Sequence, residues 1–162
     1  AHERIQTLIG NLLTLAREGQ SVTDPQSVAL ESLIESCWAN VETSEATLVV
    51  DIDRTVRADE SRLKQLFENL IRNSVEHGGE DVTIRLGSVS GGFYFEDDGP
   101  GISEKDRKNI FDVGYSTTPD GTGFGLSIVE QIATAHNWEV RATDGRDGGL
   151  RFEITGVEFG VE

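Results

Sequence analysis

The chain has 162 residues, 36% hydrophobic and 27% charged, enough for one globular domain with a sizeable core and a small appendage. A formal net charge of −15 argues against duplex nucleic acid or an anionic membrane as partner, and no apolar run approaches the ~18 residues of a membrane span. The single cysteine, Cys37, excludes an internal disulfide and, beside Trp38, reads as a core residue.

The start, Ala1-His2-Glu3-Arg4, is not a signal peptide and reads as a cut from a longer chain. Residues 2–18 predict an amphipathic helix with a seam of Ile5, Leu8, Ile9, Leu12, Leu13 and Leu15 that suits a partner helix. His2 reads as an exposed terminal histidine rather than a phosphoryl acceptor. Gly19 stops that helix and Pro25 acts as a breaker, so residues 1–26 form an appendage and linker, and 27–162 a second unit. A second helix is expected from Val28 to Val41, a strand from Thr47 to Ile52, and a short extended piece from Thr55 to Arg57.

Asp59 or Ser61 caps a longer helix, about 60–76, with Leu63, Leu66, Phe67, Leu70, Ile71 and Val75 on its apolar face. Asn69, Asn73 and His77 step at i, i+4 and i+8, so they line up beside that face. Asparagine prefers caps and turns to helix interiors, so two at one-turn spacing ask for a reason. An amide oxygen is a hard ligand suited to magnesium; two solvated amides are the plainer alternative. Gly78-Gly79 ends the helix. Val82–Leu86 and Phe93–Glu96 predict an antiparallel pair with Asp97 at its exit. Ser103-Glu104-Lys105-Asp106 resembles a capping box opening a short helix that ends near Phe111. A last helix is expected over about 124–136, and a hairpin from Trp138–Ala142 and Leu150–Ile154 around a turn at Asp144 to Gly149. The fold class is α+β: a two-layer sandwich with a mixed, partly antiparallel sheet of about five strands covered by about three helices, and an N-terminal helical appendage.

The richest stretch is Asp97 to Ser127. Asp97-Asp98-Gly99-Pro100-Gly101-Ile102 opens it and Gly121-Thr122-Gly123-Phe124-Gly125-Leu126-Ser127 closes it on an apolar helical pattern. Glycines let a ligand approach the backbone, and N–H groups at a helix start favour phosphate. Two such turns around the polar segment 112–120 suggest a nucleotide site with a mobile lid.

In chain order, the asparagine helix (Phe67-Glu68-Asn69-Leu70-Ile71-Arg72-Asn73), the first glycine turn (Asp97 to Gly101), Ile110-Phe111-Asp112 and the second glycine turn (Gly121 to Leu126) resemble the asparagine, glycine and phenylalanine boxes of the ATP-binding catalytic domain of sensor histidine kinases. That domain has the Bergerat fold, shared in a superfamily with gyrase, Hsp90 and MutL, and the resemblance covers about residues 28–156. It implies that Asp97 accepts a hydrogen bond from the adenine amino group, an ionised acceptor facing a donor. Gly99 and Gly101, with Ile102, would let the backbone approach the base. Asn73 would hold Mg2+ bridging the ATP phosphates, and Asn69 would act catalytically by positioning water or polarising nearby groups. N–H groups around Gly123 to Ser127 would meet the phosphates, and a lid with Tyr115, Ser116, Thr117 and Thr118 would close over them. Adjacent Asp98 has no family role and reads as a turn residue; His136 reads as a helix-end residue.

The resemblance also carries departures. Where many relatives have a lysine after the second asparagine this chain has Glu76, and the following aromatic position is His77, which can stack on adenine. Arg72 is the nearest candidate phosphate cation, with a plain surface arginine as the alternative. Leu150 stands where a threonine is common. The gyrase and Hsp90 branch places a glutamate at the Asn69 position as general base, so efficient hydrolysis is not implied here. Glu68 is one helix position away, a rotation of about 100° that aims it elsewhere. The γ-phosphoryl group would go to a histidine outside this sequence. Residues 2–18 resemble the end of the kinase dimerisation hairpin, so the implied partners are that hairpin of the same protein, in a homodimeric parent, and a response regulator receiver domain. The implied location is cytoplasmic, with the parent chain open to membrane anchoring elsewhere. A non-catalytic nucleotide-binding or partner-control module and a serine-kinase or anti-sigma type relative are the alternatives. Of the 14 basic residues, lysine appears only at Lys64, Lys105 and Lys108; such acidic, lysine-poor composition resembles proteins of extreme halophiles, haloarchaea among them, with an ordinary acidic cytosolic protein as the alternative.

Overall fold

A computed structural model describes residues 24–160 apart from 44, 80, 108, 112–124 and 147. The expected helix over 2–18 and the expected lid lie outside the described residues. In chain order the elements are β1 (Gln26–Ala29), α1 (Leu30–Asn40), β2 (Thr47–Asp51), β3 (Thr55–Ala58), α2 (Glu60–Gly78), β4 (Thr83–Val89), β5 (Gly92–Asp97), α3 (Glu104–Arg107), α4 (Gly125–Ala135), β6 (Glu139–Asp144) and β7 (Leu150–Thr155). Five strands form one sheet in the order β2-β4-β5-β7-β6, with β2 parallel to β4 and the other pairs antiparallel. Helices α1, α2 and α4 supply the second layer of the expected α+β sandwich. Among the described residues, no helix is long and apolar enough to cross a membrane.

Alternation along β5 sets the layers, because successive side chains on a strand point to opposite faces. Phe93 and Phe95 are fully buried on the helical side, where Phe93 meets Phe67 of α2 at 5.8 Å and Trp138 edge-on at 6.3 Å. Tyr94 and Glu96 point to the other face, and Asp97 returns to the helical side at the strand's end. Leu63, Leu66, Phe67, Leu70 and Ile71 give α2 its buried stripe, as their spacing predicts.

Two expectations need correction. Val28 does not open a helix: it pairs with Val56 in a separate two-stranded sheet of β1 and β3. The helix begins at Leu30 because the Arg54 carbonyl captures the Leu30 N–H at 3.1 Å, which fixes β1 as an extended entry. The sequence also predicts a helix running from Ser103 to near Phe111, but α3 is one turn long. Its Asp106 N–H reaches Ser103 Oγ at 3.2 Å, so half of the capping box forms, and the chain turns again before Phe111 packs on Phe152.

Candidate functional site

The long helix α2 is fixed at both ends. Asp59 Oδ1 accepts the Arg62 N–H at 3.2 Å and the Ser61 hydroxyl at 2.9 Å, so Asp59 is the cap and Ser61 supports it. Burial acts to raise the Asp59 carboxyl, but the Arg62 N–H, the Ser61 hydroxyl and the charges of Arg62 and His136 outweigh it and hold it below the usual value. The Asp59 N–H donates to His136 Nε2 at 3.0 Å, while His136 Nδ1 bonds the Ile132 carbonyl at 2.8 Å and the ring stacks on Trp138. His136 is thus a helix-end residue, as its position suggests, and also ties the end of α4 to the start of α2. At the far end, Gly78 packs against Gly99 so closely that a Cβ on Gly99 would collide with the Gly78 Cα.

Between these anchors α2 presents a polar row. Asn69 is 6% exposed, and its Oδ1 accepts from Arg72 at 3.4 Å. Among the described residues, the Nδ2 groups of both Asn69 and Asn73 are buried without a hydrogen-bond partner. Unpaired buried donors are uncommon and costly, so two on one face mark a surface shaped for polar groups of a ligand. Gly125 begins α4 beside them, with room for a Cβ that would stand 4.0 Å from Asn69 Oδ1. Ser127 is buried in the first turn of α4, and Leu126 and Ile102 pack against the core at the site's margins. His77, one turn beyond Asn73, is held below its ordinary value by burial, partly opposed by the Asp97 charge. Glu68 lies one position before Asn69, rotated about 100° around the helix from this row; the Cys37 thiol is pushed up to about 12 chiefly by burial, with the Glu68 charge adding to it.

Asp97 closes the other end of the site. It is 6% exposed, and three donors hold it: Ser74 Oγ to Oδ2 at 2.9 Å, Gly99 N–H to Oδ1 at 3.0 Å, and Leu150 N–H to Oδ1 at 3.2 Å. A carboxylate has about four lone-pair sites, so one acceptor position on Oδ2 is left for an incoming donor. Gly101 reaches φ 74° and lies against the Gly148 carbonyl, a conformation and a proximity that a side chain would spoil. Asp98 turns away and accepts the Thr83 N–H at 2.8 Å, the turn role expected of it.

The fold therefore brings Asn69, Arg72, Asn73, His77, Asp97, Gly99, Gly101, Ile102, Gly125, Leu126 and Ser127 onto α2, the start of α4 and the exit of β5, where the helical layer meets the sheet. Thr118, Gly121, Thr122, Gly123 and Phe124 lie outside the described residues. Sequence spacing does not point to Ser74. A serine next to Asn73 carries no pattern of its own, and only the crossing of α2 over β5 gives it Asp97 as partner. The described residues fit a purine nucleotide: a carboxyl acceptor at one end, amides without a partner among the described residues and the start of a helix at the other, and glycine backbone between.

The family of histidine kinase-, DNA gyrase B- and HSP90-like ATPases matches residues 58–157. The sensor histidine kinase CpxA of Escherichia coli is 27% identical over 94% of this chain, which spans 37% of that protein's length. A kinase/phosphatase of Mycobacterium ulcerans, MprB, is 28% identical over 91% of this chain and 31% of its own. Among solved structures, a mycobacterial sensor histidine kinase MprB superposes with TM-score 0.67 at 25% identity, covering 84% of this chain and 97% of that one. Full-length ShkA in complex with AMPPNP superposes with TM-score 0.77 at 25% identity, covering 98% of this chain and 37% of that one.

Proposed function

From a chain that belongs to the family of histidine kinase-, DNA gyrase B- and HSP90-like ATPases, we propose the ATP-binding catalytic domain of a two-component sensor histidine kinase, acting on a histidine outside this sequence. The observation that carries this reading is that Asp97, buried at the end of β5 with one acceptor position free, bonds Ser74 of α2, the helix that carries Asn69 and Asn73 with amides unpaired among the described residues. Asp97 takes the adenine amino group, with Gly99 and Gly101 against the base and His77 alongside it. Asn73 offers its amide oxygen to Mg2+, which when bound supplies charge neutralisation of the phosphates. Asn69 orients polar groups at the γ-phosphoryl end, and Arg72, on the same turn, is its cation. The N–H groups of Gly125 to Ser127, at the start of α4, are offered to the phosphates. Positioning and electrostatics supply most of the catalysis in phosphoryl transfer, and this chain's part in it is to hold the donor.

The acceptor histidine belongs to a dimerisation hairpin of the same protein, and the phosphoryl group passes on to a receiver domain. The parent is a cytoplasm-facing homodimer. An acidic composition with few lysines supports a salt-rich, haloarchaeal-type cytosol.

Calorimetric titration with Mg–ATP at high salt tests the reading. The chain binds; Asn73→Ala weakens binding about 10- to 100-fold, the cost of disturbing a metal shell. Asp97→Asn weakens it by a similar factor, because a charge-assisted hydrogen bond is lost, about 1.5–3 kcal/mol. Absence of binding by the unaltered chain refutes the proposal and leaves the non-catalytic partner-control reading.

A further inference from the structure

On the face of the sheet opposite Asp97 lies a second buried carboxylate that the proposed function does not use. Glu96 is 3% exposed. Its Oε2 accepts the Arg146 backbone N–H at 3.1 Å, and its Oε1 takes Arg151 Nη1 at 3.0 Å and Arg146 Nε at 3.6 Å. Arg146 also donates to the Tyr94 hydroxyl at 3.1 Å, and the Arg151 guanidinium lies 4.0 Å over the Tyr94 ring. A buried carboxylate is held this fully only when the arrangement satisfies it, and it then fixes whatever it bonds.

What it fixes is the turn between β6 and β7. That turn is closed by Gly145 N–H on the Gly149 carbonyl at 2.7 Å. Its other side presses on Asp97: a Cβ on Gly149 would collide with the Asp97 carbonyl, and one on Gly145 would stand 3.2 Å from the same oxygen. From this turn comes the Leu150 N–H that holds Asp97 Oδ1. Neighbouring residues of β5 thus grip one turn from both sides, Glu96 from behind and Asp97 from the site.

We infer that Glu96 is a positioning residue for base recognition: through Arg146 and Arg151 it seats the β6–β7 turn, and the seated turn sets the Asp97 carboxylate for the 6-amino group of a purine. The inference rests on the reading of Asp97 as the adenine contact. Glu96→Gln keeps the shape but turns an NH2 or a weaker neutral oxygen toward Arg146 and Arg151, so the turn loosens without any ligand contact being removed.

The test compares Mg–ATP with Mg–ITP, which carries an oxygen in place of the 6-amino group, by calorimetry on the whole chain at high salt. The unaltered chain favours ATP. In Glu96→Gln the ATP affinity falls about five- to ten-fold, the size of one weakened hydrogen bond, while ITP affinity holds, so the ratio falls with it. An unchanged ratio, or an equal loss for both nucleotides, overturns the inference and leaves the ATP reading standing. An unaltered chain that does not prefer ATP overturns the Asp97 reading and this inference together. Should Glu96→Gln not fold, Arg151→Gln removes the 3.0 Å ion pair from the outer face, with the same expected and overturning results.

Discussion

Asn69 carries a carboxamide, and an amide accepts no proton at neutral pH. Glu68 does not replace it, since one helix position is a rotation of about 100° away from the asparagine row. Steady-state phosphate release by this chain with Mg–ATP is therefore expected to stay near the uncatalysed rate; sustained turnover would overturn the role given to Asn69. His136 makes a second residue-level prediction. Burial lowers it below its ordinary 6.5, the Ile132 carbonyl and the Asp59 charge partly oppose this, and Arg62 adds to the lowering. The folded protein thus prefers the neutral ring, whose bare Nε2 accepts the Asp59 N–H. A group depressed in this way contributes stability that is full above the unfolded value and lost as pH falls through the folded one. His77, lowered by burial, adds to the same limb. The thermal midpoint should be flat above about pH 7 and fall below about 6.5. His136→Gln should flatten that fall; an unaltered slope would show that His136 does not set it. The position of Asp97 at a strand exit is legible in the sequence because an acid followed by glycines is a local pattern. The contacts of Ser74, Glu96 and His136 are not, because each rests on a partner at least 23 positions away.

At the scale of elements, the two hairpins and α2 follow from periodicity, and both hairpins stand where the alternation puts them. The entry of β7 between β5 and β6 does not follow, and that pairing brings the β6–β7 turn to Asp97. Gly149 probes the junction. Alanine there crowds the Asp97 carbonyl and carboxylate and should cost about 1–3 kcal/mol in denaturant unfolding, while also weakening ATP binding. Gly148 is the control, because it has φ 87° but open space around it. Gly148→Ala should destabilise through backbone strain and leave nucleotide affinity in place at equal folded fraction. Equal effects of the two on ATP affinity would count against the junction. The entry strand β1 reads as helix from sequence because Val28 fits either period; the Arg54 carbonyl and pairing with Val56 decide it.

For the whole molecule, a net charge of −15 on 162 residues sets a strong self-repulsion. Near 1 M salt the Debye length is about 3 Å, so the repulsion is screened there and acts in full at low salt. The unfolding midpoint should rise steeply with potassium chloride, and a chain equally stable at low ionic strength would remove the salt-adapted reading. The sequence by itself determined the family, the α+β class, the position of Asp97 and the asparagine face of α2, because these rest on short-range spacing that one helix or one turn fixes. Only the tertiary structure decided how the acceptor is held. Ser74 and Leu150 meet Asp97 across 23 and 53 positions of chain, and Arg146 and Arg151 meet Glu96 across 50 and 55; contacts at that separation depend on sheet order and helix crossing, which no local period encodes.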